Sequence, residues 1–145
     1  MSKGDELNMD AYETFSTTAD VGIRIRGRGY EELFQNALKG LNLLTLGCQP
    51  TAAVSPSQYP FEFHGDGPEN ILVNLLSEIL FLQQNQNKIT TGITFKEISA
   101  AYLKADLLTI PAEGEAELEI KSVTYHNLKI NEKNGLLSTE IIFDI

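Results

Sequence analysis

Hydrophobic and polar positions follow two different periods along this chain. From Val21 to Arg28 they alternate, with Val21, Ile23 and Ile25 on one face and Arg24, Arg26 and Arg28 on the other, which predicts a half-buried strand. From Tyr30 the spacing shifts to threes and fours: Leu33, Ala37, Leu41 and Leu44 form a stripe flanked by Phe34 and Leu38, the signature of an amphipathic helix. Glu31 and Glu32 lie in its first turn, where they complement the helix dipole, and Gly47 is placed to stop it. The stretch Gln49 to Pro60, rich in Thr, Ala, Ser and Pro, reads as a surface loop leading to a short strand at Phe61-Glu62-Phe63.

Gly65-Asp66-Gly67-Pro68 is a turn with proline set to open a second helix. Leu72, Leu75, Leu76, Ile79 and Leu82 then give the strongest apolar stripe in the chain, so this helix is expected to contribute most of the core. After the polar run Gln83 to Lys88 the remaining sequence alternates as strands, with Asn134-Gly135 as a hairpin signal before the last one. In that last strand Phe143 and Ile145 share one face and Asp144 takes the other. Residues 1–10 are polar, with few apolar anchors, and read as a mobile arm ahead of a domain spanning 11–145. Helices bunched early and strands bunched late predict a single α+β domain, a largely antiparallel sheet with two main helices packed on it.

Composition narrows the setting. At 145 residues the chain can bury one core without disulfides or a structural metal. Its single cysteine, Cys48, excludes an intramolecular disulfide, a zinc ribbon and a redox pair. The start, Met1-Ser2-Lys3-Gly4-Asp5-Glu6, lacks a signal-peptide pattern and no apolar run is long enough to span a bilayer, so a cytoplasmic location is expected. A net charge of -9 argues against gripping a nucleic-acid backbone as the main task, which needs cationic side chains to replace counterions; it suits a partner with a basic surface. Arg24, Arg26 and Arg28 form the one basic strip, read first as a solvated strand face. Gly27 and Gly29 do not extend into a phosphate loop, since no GxxxxGK[ST] follows and Glu32 occupies the third glycine position of a GxGxxG.

The C-terminal Ile141-Ile142-Phe143-Asp144-Ile145 puts an α-carboxylate one residue from an acidic side chain, a pair of hard oxygen donors. A third carboxylate from a distant segment would make a cation site, and Asp20, entering the strand at Val21, is the candidate. Taken alone, an Asp at a strand edge is ordinarily a turn or capping residue. Three carboxylates brought together would repel one another unless a divalent cation joined them, and oxygen-only ligands select Ca²⁺, Mg²⁺ or Mn²⁺ over zinc or copper.

Thr18-Ala19-Asp20-Val21-Gly22-Ile23, Lys121-Ser122-Val123-Thr124-Tyr125-His126 and the terminal Asp144-Ile145, in that order and spacing, resemble the archease family. The leucine-rich helix from Glu69 to Leu82, with Glu78 inside it, is similar to that family's second helix. The resemblance implies a compact α+β fold. It also implies an accessory role: activation of the GTP-dependent RNA ligase that joins 3′-phosphate or 2′,3′-cyclic phosphate ends to 5′-hydroxyl ends in tRNA splicing and RNA repair. There the family promotes guanylylation of the ligase's active-site histidine and multiple turnover, and is not itself the catalyst. A metal site, mainly calcium, is implied at Asp20, Asp144 and the Ile145 carboxylate. The chain departs from the pattern at Thr17, where the family usually has histidine; threonine cannot act as an imidazole base or ligand.

Other chemistry-bearing residues are more isolated. Lys121 and His126, five apart, would face opposite sides of a strand, whereas His126 would share a face with Ser122 and Thr124 if the stretch stays regular. An alternative reading makes the carboxylates a metal-dependent phosphoester hydrolase with His126 as base, and a third makes them structural in an interaction or chaperone-like domain. His64 has no partner at ligand spacing, Cys48 follows a helix end rather than preceding a helix start, and no Ser/His/Asp grouping or nucleophile elbow is present.

Overall fold

The computed structural model describes residues 11–18, 20–51 and 54–145; the expected N-terminal arm, residues 1–10, lies outside them. Among the described residues, eight strands and two helices follow in order: β1 (Tyr12–Ser16), β2 (Val21–Arg28), α1 (Tyr30–Leu46), β3 (Ser57–His64), α2 (Pro68–Asn85), β4 (Lys88–Ile98), β5 (Tyr102–Pro111), β6 (Ser122–Val123), β7 (Asn131–Lys133) and β8 (Leu136–Asp144). The α+β expectation holds, and the strands divide into two antiparallel sheets. One runs β1-β2-β8-β6, with β7 also paired to β8; the other runs β3-β5-β4.

Local chemistry ends the first helix and opens the second. Gly47 closes α1 in the left-handed region, at φ 80°, with its N–H donating to the Leu43 carbonyl, a conformation only glycine adopts freely. Pro68 opens α2 at its first turn, where a missing N–H costs nothing. The second helix is indeed the larger apolar contributor: Ile71, Leu72, Val73, Leu75, Leu76, Ile79, Leu80 and Leu82 are all buried.

Helix α1 lies against both sheets. Gly40 packs on Ile23 of β2, and Asn42 Nδ2 donates to the Thr90 carbonyl of β4 at 2.9 Å. One apolar core results, in which Ile23, Ile25, Ile141 and Phe143 of the first sheet meet Leu33, Leu72 and Leu76 of the helices and Leu103 and Leu107 of the second sheet.

Three local readings change. The strand expected at Phe61-Glu62-Phe63 begins earlier, at Ser57, and includes Pro60; β3 is an edge strand, where a residue without an N–H breaks no ladder. Tyr12–Ser16 forms β1, an element that the alternation did not single out. Residues 112–121, expected to continue the strands, have no regular structure. Instead the N–H groups of Glu117 and Leu118 reach the Thr45 carbonyl near the end of α1. Asn134-Gly135 forms the predicted two-residue turn, both residues at positive φ, 55° and 82°.

Candidate functional site

The site predicted from the two ends of the domain depends on how β2 meets β8. These strands pair antiparallel with Val21 opposite Phe143 and Gly22 opposite Ile142. Asp20 and Asp144 directly flank the Val21–Phe143 pair, the last of this ladder, so both acidic residues sit at the same end of the sheet. On its other side β8 is held by β6, with Ser122 opposite Asp144, and the Lys121 N–H donates to the Asp144 carbonyl at 2.7 Å. The penultimate residue is therefore fixed from the β6 flank, and Ile145 with its α-carboxylate follows immediately. Asp20 is half-buried and Asp144 exposed.

The same sheet shows what unlike charges do. At the fourth residue of β2, Arg24 sits opposite Glu140 on β8 and Glu13 on β1, bonding them at 2.9 and 3.3 Å, with its guanidinium 4.4 Å from the centre of the Phe15 ring. The basic strip is thus partly neutralised within the sheet. At the strand end Asp20 and Asp144 are both acidic, and among the described residues neither carboxylate has an ion-pair partner. An all-oxygen donor set with unbalanced negative charge fits a hard divalent cation. Among the described residues no three His, Cys, Asp or Glu side chains gather at one point; the set here is smaller, two side chains and one main-chain carboxylate.

Asp20 is shaped by the turn before it. The β1–β2 pairing ends at Ser16 opposite Val21; the Thr17 N–H donates to the Asp20 carbonyl at 2.8 Å, and the Asp20 N–H donates to Thr17 Oγ1 at 3.0 Å. Sequence reasoning treated Thr17 only as a missing histidine. The signal for its actual role was a hydroxyl residue three positions before an aspartate at a hairpin tip, a turn-forming combination.

Lys121 and His126 do not share the predicted regular strand. β6 covers only Ser122 and Val123, and although Thr124 continues the pairing through its N–H and Oγ1 to the Ile142 carbonyl, the chain turns at His126. The exposed His126 donates its N–H to Thr124 Oγ1 at 3.3 Å. On either side of it, Tyr125 Oη accepts from Asn70 Nδ2 at 2.7 Å and the Ile130 N–H donates to Glu69 Oε2 at 2.9 Å, so this segment is anchored to the start of α2.

Elsewhere, Glu78 of α2 accepts the Tyr59 hydroxyl at 2.5 Å, a bond that raises the phenol's pKa above its usual value, with burial and the carboxylate charge adding to it. Cys48 is exposed and unpaired. A cavity of about 320 Å³ opens beside Leu46, Gln83, Gln84 and Glu119, and none of Asp20, Asp144, Ile145 or His126 lines it.

Residues 12–145 match the Archease protein family (MTH1598/TM1083). The protein archease of Thermoplasma acidophilum is 32% identical, covering 97% of this chain and 98% of its own length; that of Methanothermobacter thermautotrophicus is 25% identical, covering 94% and 100%. Among solved structures, the solution structure of Methanobacterium thermoautotrophicum protein 1598 superimposes with a TM-score of 0.70 at 24% identity, covering 94% of this chain and all of that one. The crystal structure of an archease from Thermotoga maritima, described as a possible chaperone, gives 0.63 at 21% identity, covering 92% and 96%.

Proposed function

The chain belongs to the archease family, and from that premise we propose that it is an accessory protein for a GTP-dependent RNA ligase of the 3′-phosphate/5′-hydroxyl joining type. It promotes guanylylation of the ligase's active-site histidine and supports repeated turnover, without being a catalyst itself. The observation that supports this reading is the β2–β8 register, whose last pair, Val21 with Phe143, is flanked directly by Asp20 and Asp144.

Asp20, Asp144 and the Ile145 carboxylate would hold a divalent cation, calcium by family resemblance, with magnesium or manganese sharing the same ligand chemistry. Such a cation, when bound, supplies positive charge beside the phosphates of GTP. The chain's own part is to present these oxygens at an exposed strand end, where a partner can approach without the core opening. Net charge -9 favours a basic docking surface on that partner.

The test is ligase guanylylation with GTP and Mg²⁺ and substoichiometric amounts of this protein. Wild type should accelerate it, whereas Asp144→Ala, Asp20→Ala and a variant extended beyond Ile145 should not, while keeping the wild-type circular dichroism spectrum. No acceleration by wild type refutes the activator reading, and full acceleration by the variants removes the carboxylates from it. Turnover of GTP or phosphoesters by the purified protein alone would instead favour a hydrolase.

A further inference from the structure

The Thr17 hydroxyl is bonded twice to one residue. It accepts the Asp20 N–H at 3.0 Å and donates to the Asp20 carbonyl at 3.4 Å, and the Thr17 N–H donates to the same carbonyl at 2.8 Å. We propose that Thr17 is a positioning residue for the Asp20 carboxylate, its hydroxyl fixing the Asp20 main chain at the mouth of β2 so that the carboxylate is set toward Asp144 before any cation arrives. This inference rests on the cation reading above.

The two halves of the site differ in how the sheet holds them. Asp144 lies within β8 and is fixed by the Lys121 N–H and the Ser122 pairing. Asp20 lies one residue outside the last β1–β2 pair, Ser16 with Val21, where a strand end frays unless it is tied. The Thr17 clamp supplies that tie from inside the turn. A threonine can do so because its hydroxyl accepts and donates at once. It also leaves the predicted donor set all-oxygen, consistent with hard cations.

Groups that orient a ligand through the atoms behind it govern metal affinity without touching the ion. Thr17→Val keeps the β-branched shape and removes both hydroxyl bonds; Thr17→Ser keeps both. The experiment uses the full chain, measuring Ca²⁺ binding by calorimetry and Asp20 amide exchange by NMR in cation-free buffer. Thr17→Ser should bind as wild type, Thr17→Val about tenfold more weakly, the lower end of such effects because the turn is exposed. Asp20→Ala should not bind. In the cation-free protein the Asp20 amide should exchange faster in Thr17→Val than in Thr17→Ser.

Wild-type affinity in Thr17→Val, with binding lost in Asp20→Ala, overturns the positioning role and leaves the cation reading standing. Equal weakening in Thr17→Ser and Thr17→Val also overturns it, since the hydroxyl would then not be the relevant group. Wild-type binding by Asp20→Ala, or no binding by wild type, overturns the cation reading and this inference with it.

Discussion

Val21 and Phe143 lie directly opposite each other across β2 and β8, both buried in the core, and this apolar pair, the last of the ladder, is flanked directly by Asp20 and Asp144. A slip of one residue would turn Val21, Ile23 and Ile25 out of the core, so hydrophobic burial fixes the register that brings both acidic residues to one sheet end.

Like charges close together on neighbouring strands destabilise by up to about 1 kcal/mol. Asp144→Asn should therefore raise the cation-free unfolding free energy by roughly 0.5 kcal/mol and erase any calcium-dependent rise in Tm. Thermal melts in EDTA and in calcium measure both. A lower Tm for the variant in EDTA would mean that the Asp144 carboxylate is satisfied by a contact other than a cation.

Gly22, in the block that carries the family resemblance, is a packing requirement. A methyl group there would overlap the Ile141 carbonyl oxygen and the edge of the Phe15 ring. Gly22→Ala should cost about 1–3 kcal/mol in urea unfolding. Pairing it with Phe15→Ala should not restore the loss, because the Ile141 oxygen is main chain and stays. Recovery by the double variant would locate the overlap in the ring alone.

What the sequence disclosed tracks the range of the forces involved. Helices α1 and α2 were legible with their stops and starts because Leu33 to Leu41, Leu72 to Leu82, Gly47 and Pro68 act within a few residues of themselves. Strand β1 was not, since Tyr12 and Phe15 are only half-buried and their alternation is weak. Pro60 read as loop because its place on an edge strand is a property of the whole sheet. The register that brings residues 20 and 144 to one sheet end has no local signal, and it was family resemblance that linked Asp20 to Asp144. Arg24 could be read as a solvated strand residue, but its partners Glu140 and Glu13 appear only once three strands are aligned.

The second sheet carries a pH-dependent contact. Tyr102 donates to Glu62 Oε2 at 2.5 Å, and this bond, with desolvation and the charges of Glu62 and Glu97 adding to it, pushes the phenol from 10.0 up to about 12. The folded chain keeps a proton that the unfolded chain has released, so the contribution is whole below pH 10 and fades as pH rises toward about 12. In an absorbance titration one of the five tyrosines should ionise last, and Glu62→Gln should move that step back toward 10.0. An unchanged final step would assign it to another residue, with Tyr59, whose pKa is also raised by Glu78, the first to examine.

Thr90 offers a gain in stability. It sits on β4 against α1, 1% exposed, and its carbonyl accepts the Asn42 amide at 2.9 Å, but its hydroxyl has no hydrogen-bond partner among the described residues. A buried polar group left unsatisfied costs about 1–3 kcal/mol, and valine matches threonine in shape and favours strands. Thr90→Val should therefore stabilise the chain by about 1 kcal/mol, seen as a higher urea midpoint at unchanged m-value. Asn42→Ala should act the opposite way, since it strips the buried Thr90 carbonyl of its donor, at about 1–3 kcal/mol. Destabilisation by Thr90→Val would show that the hydroxyl is satisfied in solution, and the α1–β4 contact would then contain a polar bridge in addition to the Asn42 bond.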